Sequence, residues 1–232
     1  LDALISIGGL SVGIACCILL ISYIHFEWSY DNFHEDQDQI YRLVRESRFG
    51  GDNQGGGKQI TSTPLELASL MKQNYPGVEQ AIRLLGNRGA PYKIITDGSP
   101  HKADITFTDP AFFQIFNFPL ISGKAGKVLS NPNDIVITES KAHQIFGSTD
   151  VIGESIRVFF SRDNEKTFQI KGIVEDPPAN SSIQYELLLP FDALPDPANT
   201  MTQTWIETNP EVQKEQIETQ LPQLVETHFG KD

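Results

Sequence analysis

The feature that most restricts this chain is an uncharged apolar run from Ala3 to Ile24, ALISIGGLSVGIACCILLISYI. As an α-helix its 22 residues would rise about 33 Å, enough to cross the hydrocarbon core of a bilayer. A core helix of a soluble protein would keep a polar face, and this run has none. A secretory signal would have a shorter apolar stretch, positive charge ahead of it and a small-residue cleavage site behind it. Here the run passes instead into Tyr23, His25, Phe26, Trp28 and Tyr30, aromatic residues of the kind that settle at a membrane–water interface. The sequence therefore predicts a retained spanning helix over residues 1–26. Gly9 and Gly13 stand at GxxxG spacing, with Ser6 and Cys17 near the same face, so a second helix could pack closely there.

The flank after the run is acidic. Glu27, Asp31, Glu35, Asp36 and Asp38 precede the first cation, Arg42. Cytoplasmic flanks are rich in Lys and Arg, so this one is expected on the far side of the cytoplasmic membrane. Residues 27–38 then form a juxtamembrane stalk, and 39–232 a domain outside the membrane. The chain opens on Leu1 rather than Met, which reads as a piece of something longer or a processed product.

About 200 residues remain beyond the membrane run, enough for one large domain or two small lobes. The net charge of -12 comes with scattered Lys and Arg and no basic block. A nucleic-acid binder needs clustered cations to displace phosphate counterions, so that class is excluded. An acidic surface is also repelled by anionic lipid heads, which leaves the apolar run as the contact with membrane lipid. Both cysteines, Cys16 and Cys17, lie in that run, and a cysteine-free domain suits an oxidising compartment.

Along the domain, Ile40 to Phe49 alternates as a strand, and Gly50 to Gly57 is a flexible loop. That loop lacks the Lys-Ser/Thr ending of a phosphate cradle. Thr63, Pro64 and Glu66 have the spacing of a capping box opening a helix that Pro76-Gly77 ends. Strands are expected at Val78 to Leu85, Tyr92 to Thr96, Ala103 to Thr108, Ile135 to Thr138, Glu154 to Phe160, Phe168 to Val174 and Ile183 to Leu189. Short helices are expected at Pro110 to Phe116, where Phe112, Phe113, Phe116 and Phe118 read as core, and at Glu139 to Phe146. A last amphipathic helix, Pro210 to Phe229, holds Pro222, which predicts a kink or a division in two. The class is α+β, with one membrane helix and a two-lobed domain.

Chemistry is sparse. Asp31, His34, Glu35, Asp36 and Asp38 are the densest ionisable cluster, yet the spacing matches neither an EF-hand loop nor HExxH, and a solvated helix end explains it. There is no GxSxG. No catalytic residue, cofactor or metal ligand is nominated, and the chain reads as a non-enzyme. Asn180-Ser181-Ser182, after Asp176-Pro177-Pro178, reads as an Asx-type turn.

Taken in order, several segments resemble a known family. They are GGLSVGIACCILLISYI, EWSYDNFHEDQDQIYRLV, TPLELASLMKQNYPGVEQAIRL, DPAFFQIFNFPLISG, NDIVITESKAHQIFG, VIGESIRV, FQIKGIVEDPPANSSIQYELLLP and LPQLVETHFG. The pattern looks like the extracytoplasmic core domain of MacB/FtsX-type ABC transporter permeases. The resemblance implies a porter-like lobe at about 39–88 and 177–232 with a strand-rich lobe inserted at about 89–176. It implies a cytoplasmic ABC ATPase subunit, separate or fused, a second permease copy, and in some members a periplasmic adaptor and an outer-membrane exit protein. It implies an inner-membrane anchor, a periplasmic domain, and mechanotransmission for efflux or substrate extraction. Tyr30, Asp31, Phe33, His34, Ile40, Tyr41 and Arg42 match the family's stalk, and Pro177, Pro178, Ala179 and Asn180 its lobe return. All are expected to couple or support rather than catalyse. Between Pro190 and Pro210 the family's aromatic-led strand is expected to be shortened or absent here, leaving the second porter unit incomplete. A membrane-anchored sensor or ligand-binding module is the alternative reading.

Overall fold

The computed structural model describes residues 2–31, 37–47, 58–86, 89–198, 200–212 and 214–230. The chain divides into two compact units: Leu1–Gln37 with Pro177–Gln184, and Asp38–Asp176 with Tyr185–Asp232.

The first unit is dominated by α1, Asp2–Trp28. Its segment Ser6–Trp28 is long and apolar enough to cross a membrane and has no buried side chain. An apolar helix with nothing packed on it is stable only where the surroundings are also apolar. A Cβ added at Gly9 or Gly13 would meet nothing within 4 Å, so the small-residue face is open in the single chain.

The second unit holds β1 (Ile40–Arg42), β2 (Arg45–Ser47), β3 (Lys58–Ile60), β4 (Thr63–Pro64), α2 (Leu67–Asn74) and β5 (Val78–Leu85). It continues with β6 (Tyr92–Thr96), β7 (Ser99–Ala103), β8 (Ile105–Thr108), α3 (Phe112–Ile115), β9 (Leu120–Ser122), β10 (Asp134–Thr138) and α4 (Glu139–Phe146). It closes with β11 (Ser155–Ser161), β12 (Asn164–Val174), β13 (Leu187–Pro190), β14 (Met201–Thr208) and α5 (Lys214–Phe229).

One 12-stranded sheet carries the order β1-β14-β5-β8-β13-β10-β12-β11-β6-β7, with β4 beside β14 and β9 beside β12. Among the described residues two pairings are parallel, β10 with β12 and β13 with β8. The central strands β8, β10 and β13 are buried at every residue, as strands covered on both faces must be. One apolar cluster joins Ile105 and Phe107, Ile135 and Ile137, Phe168, and Leu187 and Leu189. A second joins α2 and α5 to the start of the sheet through Met71, Val78, Ile206, Ile217 and Leu224.

Several expectations need correction. The strand expected to be shortened or absent between Pro190 and Pro210 is β14, eight residues long, with alternate side chains buried. It lies between β1 and β5, pairing Tyr41 with Ile206 and Ile206 with Ala81. Thr202, Thr204 and Thr208 hide a strand pattern by filling buried positions with a hydroxyl. Thr63 does not cap a helix. It lies in β4, buried, where its Oγ1 donates to the Thr202 carbonyl at 2.9 Å and accepts from Thr204 Oγ1 at 2.8 Å. The helix begins only at Leu67, with Glu66 as a cap residue that makes no side-chain bond.

The expected strand Ile40 to Phe49 is two, broken at Leu43-Val44, and Ala103 to Thr108 is broken at Asp104. Ile183 to Leu189 is strand only from Leu187. α5 runs as one helix through Pro222. The glycine-rich loop Gly50 to Gly57 lies outside the described residues.

The short strand β9 exists because Gly123 and Gly172 let two backbones approach. Gly123 has φ 106°, and a Cβ there would lie 2.6 Å from Val128 Cγ1 and 2.9 Å from the Lys171 carbonyl oxygen. Gly123→Ala should therefore lower stability by roughly 2–5 kcal/mol, strain and overpacking together, measured by urea unfolding of the full chain in detergent.

Candidate functional site

The site begins where α1 ends. A helix terminus leaves its last carbonyls without intrahelical partners, and something must supply donors. Here the first turn is local: Ser29 N donates to the His25 and Phe26 carbonyls, both at 3.1 Å, and Ser29 Oγ donates to the Phe26 carbonyl at 2.7 Å. Tyr30 stands edge-on to Phe26, ring centroids 5.5 Å apart. Asp31 then takes φ 57°, the left-handed conformation that ends helices and that Asp tolerates better than most residues.

Further partners come from segment 177–184, with the Ser29–Asn180 and Asp31–Ser182 bonds each spanning 151 positions. Asn180 Nδ2 donates to the Ser29 carbonyl at 2.7 Å and to Ser29 Oγ at 3.0 Å. Asp31 N donates to the Asn180 carbonyl at 3.0 Å. Ser182 N donates to Asp31 Oδ1 at 2.8 Å, a charge-assisted bond. Asn180 is thus engaged through both its side chain and its backbone, and Asp31 likewise. The result is a two-sided clasp of segment 177–184 on the end of α1.

Segment 177–184 is braced internally. Ser181 N donates to the Pro178 carbonyl at 2.9 Å. Gln184 Nε2 donates to the Pro178 and Ser181 carbonyls, both at 2.9 Å. The expected Asx-type turn is corrected here: the Asn180 side chain serves Ser29, and backbone bonds close the turn.

Along the chain, both ends of this segment continue into anchored residues of the core unit. Asp176 Oδ2 accepts from Ser140 N at 3.0 Å, at the first turn of α4, and its other oxygen accepts from Ser140 Oγ. Tyr185 is buried edge-on to Phe112 at 5.8 Å and Phe118 at 5.4 Å. Burial, with a smaller effect from the Asp176 charge, raises the pKa of the Tyr185 phenol, so the ring stays neutral in its apolar setting.

The predicted stalk residues separate. Tyr30 and Asp31 are at the helix end. Phe33 and His34, with Glu35 and Asp36, lie outside the described residues. Tyr41 and Arg42 belong to the core unit, in β1. Tyr41 packs on the α2–α5 cluster, and its hydroxyl donates to the Asp38 carbonyl at 2.8 Å. The Arg42 guanidinium lies 5.4 Å from the Trp205 ring centroid. Ser29 and Ser182 were missed by sequence reasoning, because only a long-range contact gives them a role. Among the described residues no group of His, Cys, Asp and Glu is placed to hold a metal ion.

The mixed sheet domain has known counterparts. The family model of the MacB-like periplasmic core domain matches residues 3–224. The chain belongs to this family. No curated protein sequence matches it. Among solved structures, a domain of a predicted permease protein from Porphyromonas gingivalis is 26% identical, with TM-score 0.70 over 86% of this chain and 84% of that one. The periplasmic region of MacB from Actinobacillus actinomycetemcomitans is 14% identical, with TM-score 0.62 over 87% and 89%. The extracellular domain of the noncanonic ABC-type transporter YknZ from Gram-positive bacteria is 15% identical, with TM-score 0.54 over 74% and 87%. The latter two share the fold. The chain is therefore homologous to periplasmic domains of MacB-like ABC transporter permeases, a transporter domain rather than an enzyme fold, with an N-terminal helix apolar enough to span a membrane.

Proposed function

We propose that this MacB-like domain transmits ATP-driven motion from the membrane to the periplasm, for efflux or for extraction of a substrate from the outer leaflet. An ABC ATPase on the cytoplasmic side drives α1, which spans the inner membrane. A second permease copy completes the transporter, and an adaptor with an outer-membrane exit protein can extend it. The porter-like and inserted lobes, with limits near 88/89 and 176/177, are the parts set in motion.

The observation that supports this reading is the clasp. A helix moves as a stiff rod, and α1 is bonded at its end to a distant segment through both Asp31 and Asn180. Displacement of the rod pulls on residues 177–184. By chain continuity that pull arrives at Asp176, at the start of α4, and at Tyr185, in the aromatic cluster. Tyr30, Phe33, His34, Tyr41 and Arg42 support the stalk, and Gly9 and Gly13 receive a neighbouring helix.

The test uses the assembled transporter in proteoliposomes. Asp31→Ala with Asn180→Ala removes bonds worth about 1 kcal/mol each, more for the charged one. Transport should fall at least about tenfold, the effect of losing roughly 1.4 kcal/mol of coupling, while ATP turnover stays near its original value. Inserting Gly-Gly after Asp31 should have the same split effect. Equal loss of transport and ATPase activity would contradict the proposal.

A further inference from the structure

The sheet is covered unevenly at its β7 end. β11, β6 and β7 send Ile156, Val158, Ile94 and Ala103 into the apolar core, all fully buried. Their alternate side chains form a sheet face with no element packed over it among the described residues. The registers place Glu165, Phe159, Lys93 and Lys102 in one row across four strands, and Thr167, Arg157, Ile95 and Pro100 in the next. Lys93, Lys102 and Arg157 are exposed, and Phe159 and Ile95 are half-buried between them.

The charge of this face runs against that of the molecule. The chain carries -12, whereas here Lys93, Lys102 and Arg157 face a single carboxylate in those two rows, Glu165. That carboxylate is paired with Arg157 at 3.4 Å, with both side chains nearly half exposed (46% and 45%), so the pair is readily exchanged for another partner. The Lys93 ammonium and the Arg157 guanidinium lie 4.7 and 6.0 Å from the Phe159 ring centroid. Both cations lie within cation–π range of this one ring, and Lys102 has no partner among the described residues.

We propose that this face docks an acidic protein segment in extended conformation. Successive residues on this face, Lys93 then Ile95 on β6 and Arg157 then Phe159 on β11, are roughly 6.6 Å apart, which is the spacing of alternate side chains in an extended chain. A segment that carries a carboxylate and an apolar side chain at alternate positions presents both on one face, so the carboxylate can meet Lys93 or Arg157 while the apolar group covers Ile95 or Phe159. The acidic remainder of the domain repels the same partner everywhere else, which confines it to this face. A phosphate surface would use the cations and leave the apolar centre of the face unoccupied.

The experiment uses the full chain in nanodiscs of neutral lipid and a fluorescent peptide repeating glutamate-serine-leucine-serine, which sets glutamate and leucine on one face of the extended chain, read by anisotropy. Binding at low salt should weaken at least about tenfold in Lys93→Gln/Lys102→Gln/Arg157→Gln, about one decade for loss of the charged contacts. It should weaken several-fold in Phe159→Ser, whose charges are intact. The three polar exchanges are on exposed side chains, so an unchanged melting temperature verifies that the fold is retained. Peptide binding unaffected by the triple exchange overturns the proposal. So does absence of peptide binding, whether the chain instead captures phosphatidylglycerol vesicles or associates with a second copy through this face.

Discussion

Ile206→Asp should abolish the cooperative unfolding transition of the core unit. Ile206 is fully buried in β14, between Tyr41 of β1 and Ala81 of β5, and faces the cluster of Met71, Val78, Ile217 and Leu224. The substitution removes the burial of an isoleucine side chain, worth about 1.5–3 kcal/mol. It also places a carboxyl in a mostly apolar cluster, away from water. Keeping that carboxyl neutral at pH 7 costs about 4 kcal/mol, from roughly three units above its ordinary pKa at 1.36 kcal/mol per unit. The sum of about 6 kcal/mol matches the whole stability of an ordinary domain. The measurement is thermal unfolding of the full chain in detergent, followed by near-ultraviolet circular dichroism. Ile206→Val should cost only about 1 kcal/mol, which separates the effect of charge from that of shape. A normal transition in Ile206→Asp would mean that β14 does not lie inside the sheet.

Phe112→Ala should lower stability by about 3–5 kcal/mol, the range for emptying a buried phenyl site. Phe112 is fully buried and is the hub of the aromatic group. Its ring centroid lies 5.0 Å from Phe113, 5.3 Å from Phe116, 5.6 Å from Phe118 and 5.8 Å from Tyr185. The edge-on pairs with Phe113 and Tyr185 and the stacked pair with Phe118 add to the burial energy. Because Tyr185 directly follows segment 177–184, the same variant should loosen the anchor of the clasp. Hydrogen exchange at Ser182 and Ile183 should speed up before global unfolding does. If exchange there stays at the native rate while stability falls, the aromatic group supports the core alone and has no part in coupling.

Parts of this architecture were legible because their periodicity is local. Val78, Ile82 and Leu84 in β5, and Ile94 and Thr96 in β6, are buried at even spacing within strand-length runs, and Glu139–Phe146 closes on Gly147, which takes φ 71° as a helix stop. Phe112, Phe113, Phe116 and Phe118 crowd a short stretch, which points to a core. Other parts left no local signal. β14 buries Thr202, Thr204 and Thr208, whose hydroxyls imitate solvent-facing positions in any hydropathy pattern. Thr63 has the form of a cap residue, but its hydroxyl is satisfied across the sheet by Thr202 and Thr204.

By itself the amino-acid order determined the membrane-length helix, the α+β class and the family, since each rests on composition or on spacing between near neighbours. Only the tertiary structure decided that Asn180 and Ser182 close on Ser29 and Asp31, and that Lys93, Lys102 and Arg157 share one face. Those arrangements depend on strand register and on a chain return from 151 positions away. Hydrogen-bond partners so far apart in sequence carry no mutual period, and folding alone brings them within bonding distance.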